Sequence, residues 1–360
     1  MDRIRSFVVP ALVAAFASTP PLAAGGAEIY GLFNDVSTVP SGEVLGAIDP
    51  DTGEITVIGD PLPDVGGRQS GLSDVDREGR VLYFSAGDGA SGPTSLWSID
   101  LDTGAVIDIE AFSGDDLGDS PFCIAWDPAG ERLVGVARRT SDQLEIPVSI
   151  DPDTAVMTAI GTTPFDQDGF SSGVCDYDEA GGVLLFVANP PGESQRALFR
   201  LDTDTGAVLG SPSLTTETPG LDTTPGFFAL DPVTELGLAI VGGNLERRLG
   251  EIEPETGALT PVGATIASSG FSSGVSDFDP DAGVLQYVAN DANGDPTLYQ
   301  VSREGALLDN PVLSSDDPDI DTTPSFLAVV PAPEPGAAAL GVAAAAALAA
   351  HARRRARKSH

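Results

Sequence analysis

The sequence predicts an all-β repeat fold, and three observations predict it. One hexapeptide returns every 51 residues: Ile48-Asp-Pro-Asp-Thr-Gly53, Ile99-Asp-Leu-Asp-Thr-Gly104, Ile150-Asp-Pro-Asp-Thr-Ala155, Leu201-Asp-Thr-Asp-Thr-Gly206 and Ile252-Glu-Pro-Glu-Thr-Gly257. Apolar stretches flank each copy, and Asp, Thr and Gly supply strand-turn-strand chemistry between them. A second hairpin precedes most copies, and no long amphipathic helical pattern interrupts residues 27–331. Four short strands in about 50 residues, repeated, is the pattern of a β-propeller.

The elements follow in chain order. Residues 1–26 read as a secretory signal peptide: Arg3 and Arg5, an apolar stretch from Phe7 to Ala17, then small residues from Ala23 to Gly26. The body, residues 27–331, opens with Ile29-Tyr-Gly-Leu-Phe33, which matches the second strand of a unit and has no first strand before it. Innermost strands are then expected at Ser70 to Asp76, Phe122 to Asp127, Val174 to Asp178, Phe227 to Asp231 and Val275 to Asp279, each with a partner strand behind it. A shortened sixth hexapeptide begins at Val301. The body ends with Ser325-Phe-Leu-Ala-Val-Val330, a first strand with no second after it. Joining the two ends completes one shared blade and removes the open sheet edges, giving six four-stranded blades.

A longer period supports the even count. Gly169-Phe-Ser-Ser-Gly-Val174 returns 101 residues later as Gly270-Phe-Ser-Ser-Gly-Val275, and Ser70-Gly-Leu72 matches both loosely. The intervening blades open differently, with Asp119-Ser-Pro121, Thr223-Thr-Pro225 and Thr322-Thr-Pro324. Two blade types alternating three times imply pseudo-threefold symmetry. The hairpins resemble those of bacterial YVTN and NHL-type propellers, a resemblance that implies the fold and no activity.

Residues 332–360 form a separate tail. Pro333-Glu334-Pro335 precedes an Ala-rich run from Gly336 to Ala350, followed by Arg353, Arg354, Arg355, Arg357 and Lys358. The apolar run is shorter than the roughly 20 residues of a full membrane span. The tail resembles the PEP-CTERM sorting signal. That resemblance implies export, transient membrane association through a transmembrane helix, cleavage near the Pro333-Glu334-Pro335 motif by an exosortase, and a place at the cell surface or in the extracellular matrix of a biofilm. A permanent tail anchor is the alternative reading.

Composition narrows the chemistry. The 360 residues carry 54 acidic and 18 basic side chains, a formal charge of -36, which disfavours nucleic acid and anionic membrane surfaces. The only Lys is Lys358, and the only His residues are His351 and His360. The body therefore lacks a Ser-His-Asp or Cys-His nucleophile system, His-ligated zinc and a Schiff-base lysine.

What remains is carboxylate chemistry. The long loops, joining strands two and three and joining blades, are expected to share the face that carries a site. Two of their stretches have calcium-like spacing: Asp291-Ala-Asn293-Gly-Asp295 and Asp317-Pro-Asp319-Ile-Asp321. Ordinary Asp and Asn turn chemistry is the alternative for both. Asp74, Asp176 and Asp277 occupy matching positions on three innermost strands. Threefold placement brings them towards the axis, where they would share an ion or bound water, or raise one another's pKa by repulsion. Cys123 and Cys175 lie on neighbouring innermost strands, and strand alternation leaves their pairing open. Trp126 reads as core. Arg138-Arg139 and Arg247-Arg248 read as positive points in strand-two-to-three loops.

Two functions fit. One is a non-catalytic binding module for polysaccharide or a surface protein on the long-loop face, with calcium assisting. The other is a polysaccharide hydrolase or lyase using two carboxylates near the channel. The even spread of acidic loops and the missing His and Lys favour the first.

Overall fold

The computed structural model describes residues 27–37, 42–63, 65–88, 93–243 and 246–331. The signal peptide, the Pro333-Glu334-Pro335 motif, the apolar run and the Arg353–Arg355 cluster lie outside the described residues. Among the described residues, no helix is long and apolar enough to cross a membrane.

Six sheets form the body, each a blade of four antiparallel strands, with Ser314–Ser315 adding a short parallel edge to blade 1. Blade 1 is Leu327–Val330, Glu28–Asp35, Gly42–Ile48 and Glu54–Ile58. Blade 2 is Val65–Asp76, Val81–Asp88, Thr94–Asp100 and Val106–Ala111. Blade 3 is Leu117–Asp127, Arg132–Arg139, Glu145–Ile150 and Met157–Ala159. Blade 4 is Gly169–Asp178, Val183–Asn189, Ala197–Asp202 and Val208–Gly210. Blade 5 is Phe228–Asp231, Leu236–Gly243, Glu246–Ile252 and Leu259–Ile266. Blade 6 is Ser269–Asp279, Val284–Asn290, Pro296–Ser302 and Leu307–Asp309. The molecule is a six-bladed β-propeller.

Closure uses the two ends of the body. Glu28 faces Val330, Ile29 faces Val329, Tyr30 faces Ala328 and Gly31 faces Leu327 in antiparallel register. Six apolar clusters lie between successive blades. The cluster joining blades 6 and 1 packs Val288 and Leu298 against Phe33 and Leu327. The next packs Phe326 and Leu32 of blade 1 against Phe84 and Trp97 of blade 2. Apolar burial between every pair of neighbours closes the ring in addition to the strand pairing.

The hexapeptide builds the turn from the third to the fourth strand. Asp49 Oδ1 accepts the amides of Asp51 and Thr52, and Asp202 Oδ1 accepts those of Asp204 and Thr205. The last position needs positive φ: Gly104 has φ 69° and Gly206 has φ 73°. Ala155 takes the same conformation at φ 51°, with its methyl buried between blades 2 and 3.

The three blades with the longer opening share a backbone feature. Register shifts interrupt the innermost strands between Arg68 and Ser73, Phe170 and Cys175, and Phe271 and Ser276. These bulges occupy matching positions in blades 2, 4 and 6, and blade 3 has register shifts of its own between Leu117 and Pro121 and between Pro121 and Cys123. They also explain why these strands begin earlier than the apolar pattern suggests: the pattern is broken where extra residues loop out of the ladder. The innermost strands of blades 2, 4 and 6 touch one another across the axis.

Polar or covalent clasps bind neighbouring blades. Arg80 of blade 2 pairs with Glu28 and donates to Tyr30 of blade 1. Cys123 of blade 3 and Cys175 of blade 4 form a disulfide, with Cα atoms 6.3 Å apart. Arg303 of blade 6 pairs with Asp231 of blade 5 at 2.9 Å. The remaining junctions are clasped from inside the channel.

Candidate functional site

Three aspartates form a collar in the central channel. Each comes from an innermost strand of an alternate blade, and each uses its two oxygens in the same way. Asp74 Oδ1 accepts the Val75 amide at 2.7 Å, and Oδ2 accepts the Trp126 amide of blade 3 at 2.5 Å. Asp176 accepts Tyr177 at 2.7 Å and Leu230 of blade 5 at 2.6 Å. Asp277 accepts Phe278 at 2.7 Å and Val329 of blade 1 at 2.6 Å. Each carboxylate thus ties its own strand to the innermost strand of the next blade. The structure brings together the three residues that the matching spacing singled out.

One cation enters the collar, from a residue that spacing did not single out. The Arg77 guanidinium donates to Asp277 Oδ1 at 3.0 Å, and to the carbonyls of Phe278 and Val329 at 3.1 Å each. It therefore clasps the closing strand, whose Val329 amide is already held by Asp277. The threefold pattern breaks here, because Glu179 and Pro280 stand at the positions corresponding to Arg77. The sequence signal was a cation following Asp76 in an otherwise acidic body.

The electrostatics follow the asymmetry. Burial, and then the charge of Asp176, push the Asp74 pKa up to about 7. Burial pushes Asp176 up to about 6, against the pull of its two amides and Arg77. Burial also raises Asp277, with Arg77 opposing it most directly. Burial works against the Arg77 charge, but Asp277, Asp74 and Asp176 outweigh it and raise its pKa.

The collar lines a cavity of about 1080 Å³. Its other walls include Trp126, Tyr177 and Arg200, with Glu179, Glu253 and Glu255 also on its lining. Trp126 stacks on Tyr83 with ring centroids 5.3 Å apart. It is half-buried: it packs against the apolar cluster between blades 2 and 3, as the apolar residues before it suggested, and also lines the channel. The lining residues belong to the ends of the innermost strands and to tight hairpin turns. The cavity therefore sits towards the tight-turn side of the ring, opposite the face that loop length pointed to.

The other candidates are engaged locally. Asp291 Oδ1 accepts the amides of Asn293 at 2.7 Å and Asp295 at 3.0 Å, while Asn293 Nδ2 donates to Oδ2 at 3.0 Å. Asp317 Oδ1 accepts the Asp319 amide, and Asp321 Oδ1 accepts the Thr323 amide, each at 3.0 Å. Among the described residues, no group of three or more His, Cys, Asp or Glu is arranged to hold a metal ion. Arg138 and Arg139 end a strand and do not sit in a loop. Arg138 pairs with buried Glu145 at 2.8 Å, and Arg139 pairs with Asp142. Arg247 and Arg248 likewise belong to a strand, Glu246–Ile252.

No family model matches the chain, and no curated protein matches it. Solved structures do resemble it in fold. TolB from Acinetobacter baumannii is 15% identical with a TM-score of 0.53, over 85% of this chain and 67% of that one. A chain from a nidogen/laminin complex is 13% identical with a TM-score of 0.50, over 86% of this chain and 99% of that one. At such identities the likeness is one of propeller architecture.

Proposed function

We propose that this is an exported, non-catalytic propeller of the cell surface or extracellular matrix, which holds polysaccharide in the channel cavity on its tight-turn side. The observation that carries the reading is the cavity itself: about 1080 Å³, walled by Trp126 and Tyr177 and lined by carboxylates. Aromatic faces suit sugar rings, and carboxylates accept hydrogen bonds from hydroxyl or amino groups. Glu179, Glu253 and Glu255 repel an anionic chain, so the favoured class is neutral or amino-bearing polysaccharide. The collar carboxylates each serve as acceptors for two backbone amides, which supports a structural role for them. Export and retention rest on the two chain ends: the signal-like residues 1–26 and the tail that resembles a PEP-CTERM signal, with exosortase as its processing partner.

The test is a binding screen of the full-length protein against neutral, amino-bearing and acidic polysaccharides, with Trp126→Ala alongside. Retention of a neutral or amino-bearing polymer, weakened at least tenfold by Trp126→Ala, supports the reading. Retention of acidic polymers alone, or of surface proteins and no polysaccharide, overturns the ligand class. Raised carboxyl pKa values in a cavity also suit a glycoside-cleaving acid. Reproducible cleavage that disappears in Asp74→Asn would replace the binding reading with the enzymatic one. Intact-mass measurement of the exported protein tests the tail: loss of the residues following the Pro333-Glu334-Pro335 motif supports processing, and an uncut C-terminus opposes it.

A further inference from the structure

We propose that the aspartate collar is a proton-operated switch that sets the charge of the channel cavity and the grip between blades 2 and 3 and between blades 4 and 5. The inference does not depend on what occupies the cavity. It starts from a mismatch in the geometry: three carboxylates converge on the axis, and one guanidinium accompanies them. Arg77 is committed to Asp277 and to the closing strand. The non-covalent closure of the ring is therefore compensated. Asp74 and Asp176, which hold Trp126 and Leu230, have no such direct partner in the threefold pattern.

Among the described residues, the surroundings do not supply the missing charge. From blade 2 the cavity receives Asp76 and Glu78 besides Asp74 and Arg77. Blade 4 adds Asp178, Glu179 and one cation, Arg200, which pairs with Glu255 of blade 5 at 3.3 Å. Blade 5 contributes Glu235, Glu253 and Glu255, and blade 6 contributes Asp277, with Asp279 acting on it from the adjoining turn. From blades 1 and 3 the lining residues are uncharged. With all three collar carboxylates ionised, the collar carries two uncompensated negative charges. Protonation of Asp74 and Asp176 brings it to neutrality.

The direction of the response follows from linkage. An aspartate in the unfolded chain titrates near pH 3.9. The folded collar holds its protons up to about pH 7 at Asp74 and about 6 at Asp176. Between these limits the folded state binds more protons than the unfolded state, so the collar's contribution to stability falls as pH rises. Acid stabilises the folded ring and neutralises the collar. At neutral and higher pH, two negative charges on the channel wall cost the folded ring stability and leave the collar ready for a cationic group.

Tryptophan emission provides a direct readout. The chain has two Trp, and Trp97 is fully buried between blades 1 and 2. Trp126 is half-buried and donates its amide to Asp74. Full-length protein is titrated from pH 5 to 8, and emission and melting temperature are recorded. The expected result is an emission transition with a midpoint between about 6 and 7, absent in Trp126→Phe. The melting temperature of the wild type should fall with pH more steeply than that of Asp74→Asn/Asp176→Asn. Should the double variant not fold, Arg77→Gln gives an independent reading, because loss of the cation must move the emission midpoint to higher pH. Emission without a transition between pH 5 and 8 overturns the proposal. So does a midpoint that Arg77→Gln leaves in place.

Discussion

Asp74 in the channel and Asp291 in an exposed loop each accept two backbone amides, yet their pKa values move in opposite directions. In the loop, the amides of Asp295 and Asn293 lower the pKa, because together they outweigh the weak desolvation that opposes them at this exposed position. In the channel, burial and the neighbouring Asp176 overcome the same kind of bonding and raise it. In a body so rich in carboxylates, acidity alone marks no site. Burial of like charges at an inter-blade contact separates the collar from the loops.

The most severe way to break this comparison is to remove the collar member that carries the cation. Asp277→Ala leaves Arg77 without its carboxylate and the Val329 amide without its acceptor. A fully buried pair loses about 3–5 kcal/mol in this way; Arg77 is one-third exposed, so its share is smaller, and the orphaned Val329 amide adds about 1–3 kcal/mol. Urea unfolding of the variant should show that loss, with the closing strand Leu327–Val330 first to exchange its amide hydrogens. A variant as stable as the wild type would show that the collar is dispensable and that the apolar contacts alone close the ring.

The disulfide comes next, because it clasps blades 3 and 4, a junction with no collar carboxylate. Cys123 and Cys175 are separated by 52 positions, and a loop of that size contributes about 3–4 kcal/mol in the chain-entropy model. Cys123→Ser/Cys175→Ser should lose that amount by urea unfolding. The pH dependence of the Trp126 emission should remain, since the collar lies at other junctions.

The sequence revealed the ring far more fully than the site, and the reason is periodicity. A turn that needs Asp to accept amides and Gly for positive φ leaves the same mark every 51 residues. The collar aspartates were legible for the same reason: Asp74, Asp176 and Asp277 recur at matching positions. Arg77 was not, because it occurs once, and its role depends on reaching past blade 1 to a carboxylate of blade 6. The disulfide stayed open because strand alternation gives the face of a side chain within its own blade but not the approach between neighbours. Loop length pointed to the other face: the cavity is formed where innermost strands end in short turns, and turn length carries no mark of the space enclosed.

Smaller effects sharpen the comparison between turn and collar. Gly206 has φ 73°, and a Cβ there would lie 2.0 Å from the Ile160 carbonyl oxygen. Gly206→Ala should therefore cost about 1–3 kcal/mol through backbone strain and steric displacement, measured by urea unfolding. Gly192 also has positive φ, 73°, but open space around it, so Gly192→Ala isolates the strain alone and should cost less.

The smallest effect is expected at the exposed loop. Its carboxylate is stabilised in the charged form, so its contribution is present above the unfolded pKa and fades only as pH falls through the lowered folded value. Asp291→Asn should leave the melting temperature at pH 7 nearly unchanged, because an amide oxygen can still accept the Asn293 and Asp295 amides. EDTA should likewise leave the melting temperature in place, since the oxygens of Asp291 are turned inward to its own loop. A clear fall in melting temperature with EDTA that Asp291→Asn abolishes would give the loop a bound cation. The contrast with the collar would then lie in the ligand each set of oxygens holds and no longer in burial alone.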